Sequence, residues 1–312
     1  MKAYHESLQF ELKKVYDIAS KARSMGFDPS LEVEIPVAKN MAERVEGLIS
    51  VVAPKIRGCG MVERIQELEK EYGKLNWRVA LQISEEIAQE KFCKFQDKQQ
   101  AMEVAIRVGI AYVTNGVVSS PLEGFTDLKI KKRRDGKEYF ALYFSGPIRS
   151  AGGTGASVSV IIGDYIRKKM GYSEYDPTEE EVKRMNTELH DYHEKVTNLQ
   201  YLPSDEELEF MVRHLAVQID GDPSEKYDVS NYKDLDRIET NKIRNGPCLV
   251  LGEGLCQKAP KLWKQLDKWG KEFDLAHCGF LEEFLVLQKK IKSKGINKSE
   301  NKDNLKIKPD FT

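Results

Sequence analysis

A glycine-rich turn between a strand pattern and a helix pattern constrains this chain more than any other feature of its sequence. An aromatic strand pattern ends at Phe144, and an apolar helical pattern begins at Ala156. Such a turn brings several backbone N–H groups to the start of a helix, where an anion such as phosphate binds. The candidate phosphate-binding residues in the turn are Arg149, Ser150, Gly152, Gly153 and Thr154.

Two familiar phosphate-binding motifs do not fit this turn. No Gly-Lys-Ser/Thr follows the glycines, which excludes a P-loop. No acidic residue stands about 20 residues further on after a second strand, which argues against a dinucleotide fingerprint. A structural interpretation also remains open, in which the glycines let the following helix pack tightly on the sheet.

A second candidate site is a run of positive charge beside a predicted hairpin. The chain carries a net charge of −1, so its overall charge does not indicate a nucleic-acid surface. Five cations nevertheless lie within 129–134, and Asp135-Gly136 is a strong two-residue hairpin signal. Side chains near a hairpin tip reach solvent and partners. The candidate DNA-binding residues here are Lys131, Lys132, Arg133 and Arg134.

Periodicity predicts a helix-rich α+β fold in which a small antiparallel hairpin or sheet is packed by helices. We predict a mostly helical unit over 1–110, an α+β unit containing the glycine turn over 111–288, and a polar, lysine-rich linker or terminus over 289–312. Capping boxes at Thr178 and Ser204 predict two helix starts. Short apolar runs over 217–219 and 248–251 predict strands. Apolar spacing predicts further helices over 4–25, 61–72, 77–95 and 99–113.

Composition is typical of a folded cytoplasmic protein. The hydrophobic fraction is 40% and the mean hydropathy is −0.53, so a core can form and no membrane span is expected. The first residues lack the apolar region of an export signal. The five cysteines have no CxxC spacing, so we expect buried thiols instead of a disulfide framework or a zinc knuckle.

Three further constellations have a structural interpretation that is favoured over a functional one. His190 and His193 share a predicted helix, but no further metal ligand can be named. The aspartates between 220 and 236 stand in sequences typical of turns. Gly252 and Gly254 precede Lys258 and Lys261, which could approach a phosphate, although simple helix entry with Pro260 in the first turn is the favoured explanation.

The chain resembles the large subunit of archaeal family D DNA polymerase over residues 1–288, with an extension into the tail. The segments that carry the resemblance occur in the family's order. They include EVEIPVAKNMAERVEGLI, LNWRVALQISEEIA, VSSPLEGFTDLKIKKRRDG, GPIRSAGGTGASVSVIIGDYIRKKMGY, VTNLQYLPSDEE and QIDGDPSEKYDVSNYKDLDRIETNKIRNGPCLVLGEGLCQKAPKLWK. Two positions depart from the family pattern: Gly155, where alanine is expected, and Asn245-Gly246-Pro247, where small residues are usual.

The resemblance implies that this chain is a non-catalytic N-terminal portion. Family large subunits exceed a thousand residues, and their polymerase centre lies far beyond position 312. We therefore expect no catalytic or metal-binding residue in this chain, and Mg²⁺ bound outside it. The implied partners are a small subunit carrying a 3′–5′ exonuclease and a DNA primer–template, with self-association as a further possibility. The resemblance also suggests comparison of the glycine-turn region with a KH-like domain.

These implications give the predicted function as subunit assembly together with contact to the DNA backbone. The main alternative is an assembly or oligomerisation module that never touches DNA. A stand-alone nucleotide-binding enzyme is a third hypothesis, but the absence of a P-loop lysine and of a catalytic base disfavours it.

Overall fold

A computed structural model of the chain describes residues 2–27, 38–115 and 117–303, and it has the predicted helix-rich α+β architecture. The chain divides into two compact units, which meet in sequence at residues 39 and 40. The domain boundaries predicted at residues 110 and 288 both fall within the second unit. None of the helices in the described ranges is both long and apolar enough to cross a bilayer.

The first unit contains helix α1 (Lys2–Ser24), which confirms the helix predicted over 4–25. Gly26 follows it with a φ of 78°, a left-handed conformation that glycine adopts without strain. Several apolar side chains of this helix are exposed. They include Tyr4, Leu8, Val15 and Ile18, and they recur at the three- and four-residue spacing of one helix face.

Four helices open the second unit, and polar N-cap residues start three of them. Asn40, Asn76 and Asp97 each accept a hydrogen bond from a backbone N–H of the first turn that follows. The remaining helix, which follows Gly60, has no side-chain cap. The helices are α2 (Met41–Ile49), α3 (Met61–Tyr72), α4 (Trp77–Ala88) and α5 (Lys98–Val113).

A three-stranded sheet follows these helices, with strand order β1-β2-β3. Strands β1 (Phe125–Lys132) and β2 (Glu138–Phe144) form the predicted antiparallel hairpin, and Gly136 takes a φ of 82° in its turn. Strand β3 (Gln218–Asp220) pairs with β2 in parallel, so the sheet is mixed. Nearly all of β2 is buried because helices cover it.

Helix α6 (Gly152–Lys169) leads from the glycine turn across the sheet, and it is buried over most of its length. Gly163 faces Leu142 of β2 so closely that an added Cβ would lie 2.5 Å from the Leu142 Cδ1 atom. Both predicted capping boxes are confirmed, and they start α7 (Glu179–Lys195) and α8 (Asp205–His214).

The strand predicted over 248–251 is wrong, because this segment is helical. Helix α9 (Asn245–Leu249) passes into a π-helical turn (Val250–Cys256) and then into α10 (Gln257–Trp269). The run is apolar because it is buried on every side, and periodicity cannot separate such a helix from a buried strand. Helix α11 (Phe280–Asp303) also carries helical backbone through 289–303, where a linker was predicted.

Candidate nucleic-acid interface

The glycine turn places the start of α6 beside the π-helical turn. A 3₁₀ turn (Gly146–Ala151) ends where Gly152 takes a φ of 65°, and no side chain caps the helix that begins there. Nothing lies within 4 Å of a Cβ added to Gly152, so this glycine is required by its backbone conformation alone. The first turn of α6 therefore has no side-chain N-cap.

Arg149 is already engaged by an acidic side chain. Its Nη2 atom lies 2.8 Å from Oε1 of Glu253, and the Gln200 N–H donates to the same oxygen at 3.0 Å. Burial alone would raise the pKa of Glu253, but these hydrogen bonds lower it below its ordinary value. A phosphate at this turn would have to compete with Glu253 for the guanidinium of Arg149.

Gly153 makes the close packing that the structural interpretation requires. A Cβ added here would lie 2.2 Å from the backbone oxygen of Glu253 and 2.8 Å from Cε of Lys258. Only glycine permits this approach of α6 to the π-helical turn. Tight packing therefore accounts for Gly153, as the left-handed backbone accounts for Gly152.

A small polar cavity opens in front of the turn. Its volume is about 130 Å³, and its walls include Arg149, Gly152, Gln257 and Lys258. The two hydroxyls of the turn have partners within the protein. Ser150 donates to the carbonyl of Pro147 at 2.7 Å, and Oγ1 of Thr154 accepts from Nζ of Lys261 at 3.3 Å.

Three of the four predicted hairpin cations have partners within the protein. Lys131 is mostly buried and lies 2.8 Å from Oδ2 of Asp220. Arg133 donates to the carbonyl of Glu174 at 2.7 Å, and Nε of Arg134 lies 3.2 Å from Asp176. Only Lys132 has no ion-pair or hydrogen-bond partner among the described residues.

A different set of cations faces solvent without acidic partners. Helix α10 buries Leu262 and Leu266, and its opposite side is basic. None of these cations forms an ion pair within the described ranges, and four of the five are exposed. We call this set the lysine row. Lys258, Lys261, Lys264 and Lys268 lie on α10, and Lys271 lies in the 3₁₀ turn that follows it.

The lysine row adjoins the glycine turn. Lys258 lines the cavity there, and Lys261 reaches Thr154 in the first turn of α6. Sequence reasoning found Lys258 and Lys261 but missed the other three. Their spacing of three or four residues along an amphipathic helix is the signal that could have revealed them.

The two histidines and the first of the aspartates singled out in the sequence are engaged by hydrogen bonds or ion pairs within the protein. His190 lies 2.8 Å from Asp205, and Nδ1 of His193 accepts from the Leu199 N–H. Asp220, predicted as a turn residue, differs from that prediction. Its carboxylate is buried in β3, and it bridges Lys131 and Nη1 of Arg244.

The chain is similar in sequence to known proteins over nearly its whole length. A family model described as DNA polymerase II large subunit DP2, N-terminal, matches residues 3–285. The chain belongs to this family. It is 51% identical to the DNA polymerase II large subunit of Nanoarchaeum equitans (strain Kin4-M) over 291 residues, which is 93% of this chain. The corresponding protein of Thermococcus kodakarensis is 45% identical over 97% of this chain.

These comparisons confirm the resemblance seen in the sequence and fix its extent. The match to the Pyrococcus furiosus DNA polymerase II large subunit, at 44% identity, covers 96% of this chain and 23% of that protein. The corresponding shares of the other two relatives are 23% and 16%. The chain therefore spans less than a quarter of the length of these relatives, and it corresponds to their N-terminal region.

Proposed function

We propose that this chain is the non-catalytic N-terminal part of the large subunit of a heterodimeric archaeal DNA polymerase used in replication. Family membership and the names of the relatives support this role. The polymerase centre and its Mg²⁺ would lie outside these 312 residues. The partners would be a small subunit with 3′–5′ exonuclease activity and a primer–template, in the cytoplasm.

A direct test of the non-catalytic role uses the chain by itself. With Mg²⁺ and four deoxynucleotides it should neither extend nor degrade a labelled primer, because a two-metal site needs carboxylates paired around the ions. Reproducible extension that disappears when a carboxylate of this chain is changed would contradict the proposal.

We further propose that the chain contacts the DNA backbone through the lysine row. The observation that carries this proposal is a helix face of lysines without ion pairs, continuous with the uncapped start of α6. A phosphate backbone attracts such a face regardless of sequence, and binding releases counterions. The hairpin cations are less suited to this role because most of them are already paired.

The KH-like comparison is compatible with this placement. Residues 152–155 read Gly-Gly-Thr-Gly, the spacing of a GxxG loop, and they form the first turn of α6 directly after a 3₁₀ turn. In KH domains such a loop clamps backbone nucleotides. In the proposed arrangement the DNA backbone runs along the lysine row towards this turn.

The test removes charge from the lysine row in the complete two-subunit polymerase. Lys261, Lys264, Lys268 and Lys271 are replaced together by alanine, and primer–template affinity is measured over a range of salt concentrations. Affinity should fall alike for all DNA sequences, and the salt slope should decrease by up to about 4, or about 1 for each lost phosphate contact.

A matched control removes the same charge elsewhere. Lys55, Lys70, Lys74 and Lys91 are exposed and have no ion-pair partner among the described residues. Their replacement by alanine should leave the salt slope unchanged. If the lysine-row variant binds DNA with the wild-type affinity and slope, the lysine row does not contact DNA.

An assembly role without DNA contact is the second candidate, and α1 favours it. Its apolar face includes Leu8, Val15 and Ile18, which are 48%, 58% and 70% exposed. Exposed apolar stripes of this kind mark protein–protein contacts. Serine at all three positions should weaken co-purification of the small subunit while leaving DNA affinity per assembled complex unchanged.

A further inference from the structure

A buried aspartate, a histidine and a cysteine meet between α6 and the turn that precedes α11. Asp164 lies in α6, and His277 and Cys278 lie in the 3₁₀ turn Ala276–Gly279. One carboxylate oxygen, one imidazole nitrogen and the sulfur all lie within 4.8 Å of one another. Among the described residues, this is the only group of at least three metal-ligating side chains brought together in this way.

The nitrogen–sulfur distance is near that of a tetrahedral metal site, whereas the nitrogen–oxygen distance is that of a direct hydrogen bond. Nε2 of His277 lies 2.5 Å from Oδ2 of Asp164 and 3.9 Å from Sγ of Cys278. Around a tetrahedral Zn²⁺ the nitrogen–oxygen separation is roughly 3.4 Å and the nitrogen–sulfur separation roughly 3.6 Å. An ion therefore requires the first pair to open by roughly 1 Å and the second to close by roughly 0.3 Å.

The surroundings orient the carboxylate and leave the histidine partly exposed. Nε of Arg167 holds Oδ1 of Asp164 at 2.8 Å, which leaves Oδ2 directed at the imidazole. Asp164 and Cys278 are buried, whereas the side chain of His277 is 22% exposed. In the proposed site a water molecule would be the fourth ligand, on the side of the partly exposed histidine.

The charges also permit a divalent cation. A thiolate and a carboxylate together balance its two positive charges. The guanidinium of Arg167 opposes binding, but its charge is shared with Asp164, and its Nη2 atom lies 4.0 Å from Glu174. A thiolate with an imidazole is the donor set that selects zinc over magnesium or calcium.

We propose that Asp164, His277 and Cys278 bind one Zn²⁺ ion that fastens the start of α11 to α6. The ion takes the place of the direct contact between aspartate and histidine. Its role is structural, because it links two segments that are more than a hundred residues apart in sequence. The site is independent of the DNA-binding role proposed for α10.

The test measures metal binding by the 312-residue chain. The protein is stripped with a chelator, and zinc is titrated while metal content and melting temperature are recorded. We expect one zinc per chain and a raised melting temperature. Cobalt in place of zinc should give the intense visible bands of a tetrahedral site and a thiolate charge-transfer band.

Three ligand variants and one control identify the site. Asp164→Asn, His277→Gln and Cys278→Ser should each weaken zinc binding by more than about 100-fold, the upper range for loss of an outer-shell partner. Cys256→Ser is the control, because Cys256 is also buried but lies outside the three-residue group. It should retain the zinc.

Two results would overturn the proposal. One is wild-type protein that binds no stoichiometric zinc and gives no thiolate band with cobalt, which would leave a hydrogen-bonded cluster without an ion. The other is a His277→Gln variant, at the partly exposed position, that folds and still binds zinc with the wild-type affinity. The cobalt spectrum of the wild type decides the matter even if the buried variants do not fold.

Discussion

The hairpin cations and the lysine row are similar in number, but the fold pairs most of the hairpin cations with acidic or carbonyl groups and leaves the lysine row without ion pairs among the described residues. At the hairpin, Lys131 is mostly buried and pairs with Asp220, and Arg134 pairs with Asp176. On α10, Lys264 and Lys268 have no acidic partner within the described ranges. The densest run of positive charge in a sequence is therefore not necessarily the surface that is available to a polyanion. Pairing within the fold decides which cations remain available.

The largest expected effect follows from removal of the buried Asp220 carboxylate, which pairs with Lys131 of the hairpin. Asp220→Ala should lower the free energy of unfolding by about 3–5 kcal/mol, because Lys131 and the fully buried Arg244 each lose one of their two carboxylate partners. Denaturant unfolding monitored by circular dichroism measures this loss. Asp222→Ala, at an exposed position two residues away, should change stability by less than about 0.5 kcal/mol. Equal losses for both variants would contradict the buried network.

A smaller loss should follow from crowding the turn beside the lysine row. Gly153→Ala should lower the free energy of unfolding by about 1–3 kcal/mol, because the added Cβ would clash with the backbone oxygen of Glu253. Thermal unfolding and DNA affinity are measured on the same protein. Gly47→Ala is the control, since nothing lies within 4 Å of its Cβ and alanine favours a helix. Normal stability with reduced DNA affinity for Gly153→Ala would instead indicate a phosphate site.

The two cationic regions are compared directly by paired substitutions in the complete polymerase. Lys264→Ala with Lys268→Ala should reduce the salt slope of DNA binding by about 2. Arg133→Ala with Arg134→Ala removes the same charge from the hairpin and should leave the slope nearly unchanged, because these side chains are occupied within the protein. The reverse ranking would assign the DNA contact to the hairpin.

The smallest effect concerns the ion pair between Lys129 of the hairpin and the exposed Glu239, and its dependence on pH. The hydrogen bond from Lys129 is the main reason that the pKa of Glu239 lies below its ordinary value. A lowered carboxylate pKa stabilises the fold above the unfolded value of about 4.3, and this stabilisation is lost as pH falls through the folded value. Glu239→Gln should therefore cost under about 1 kcal/mol at neutral pH, because the side chain is 54% exposed.

Unfolding curves of this variant and the wild type should converge in acid. The comparison is made at pH 7 and again well below pH 4. A difference in stability that persists unchanged at the lower pH would show that the Lys129–Glu239 ion pair is not its source.

Local signals predicted most of the elements. The capping boxes at Thr178 and Ser204 and the hairpin turn at Asp135-Gly136 are confirmed, because each depends on residues within a few positions of one another. The segment 248–251 failed because a uniformly apolar run has no period. The parallel pairing of β3 with β2 joins residues far apart in sequence, and no local pattern contains it.

The sequence by itself determined the family, the helix-rich α+β class and the position of the glycine turn. These follow from motifs and periodicities that are complete within short segments. Tertiary structure alone decided which charges are neutralised. Glu253 lies about a hundred residues from Arg149 and Asp220 about ninety from Lys131, yet the fold brings each pair into hydrogen-bond contact. Electrostatic attraction depends on distance in space, which the sequence does not state.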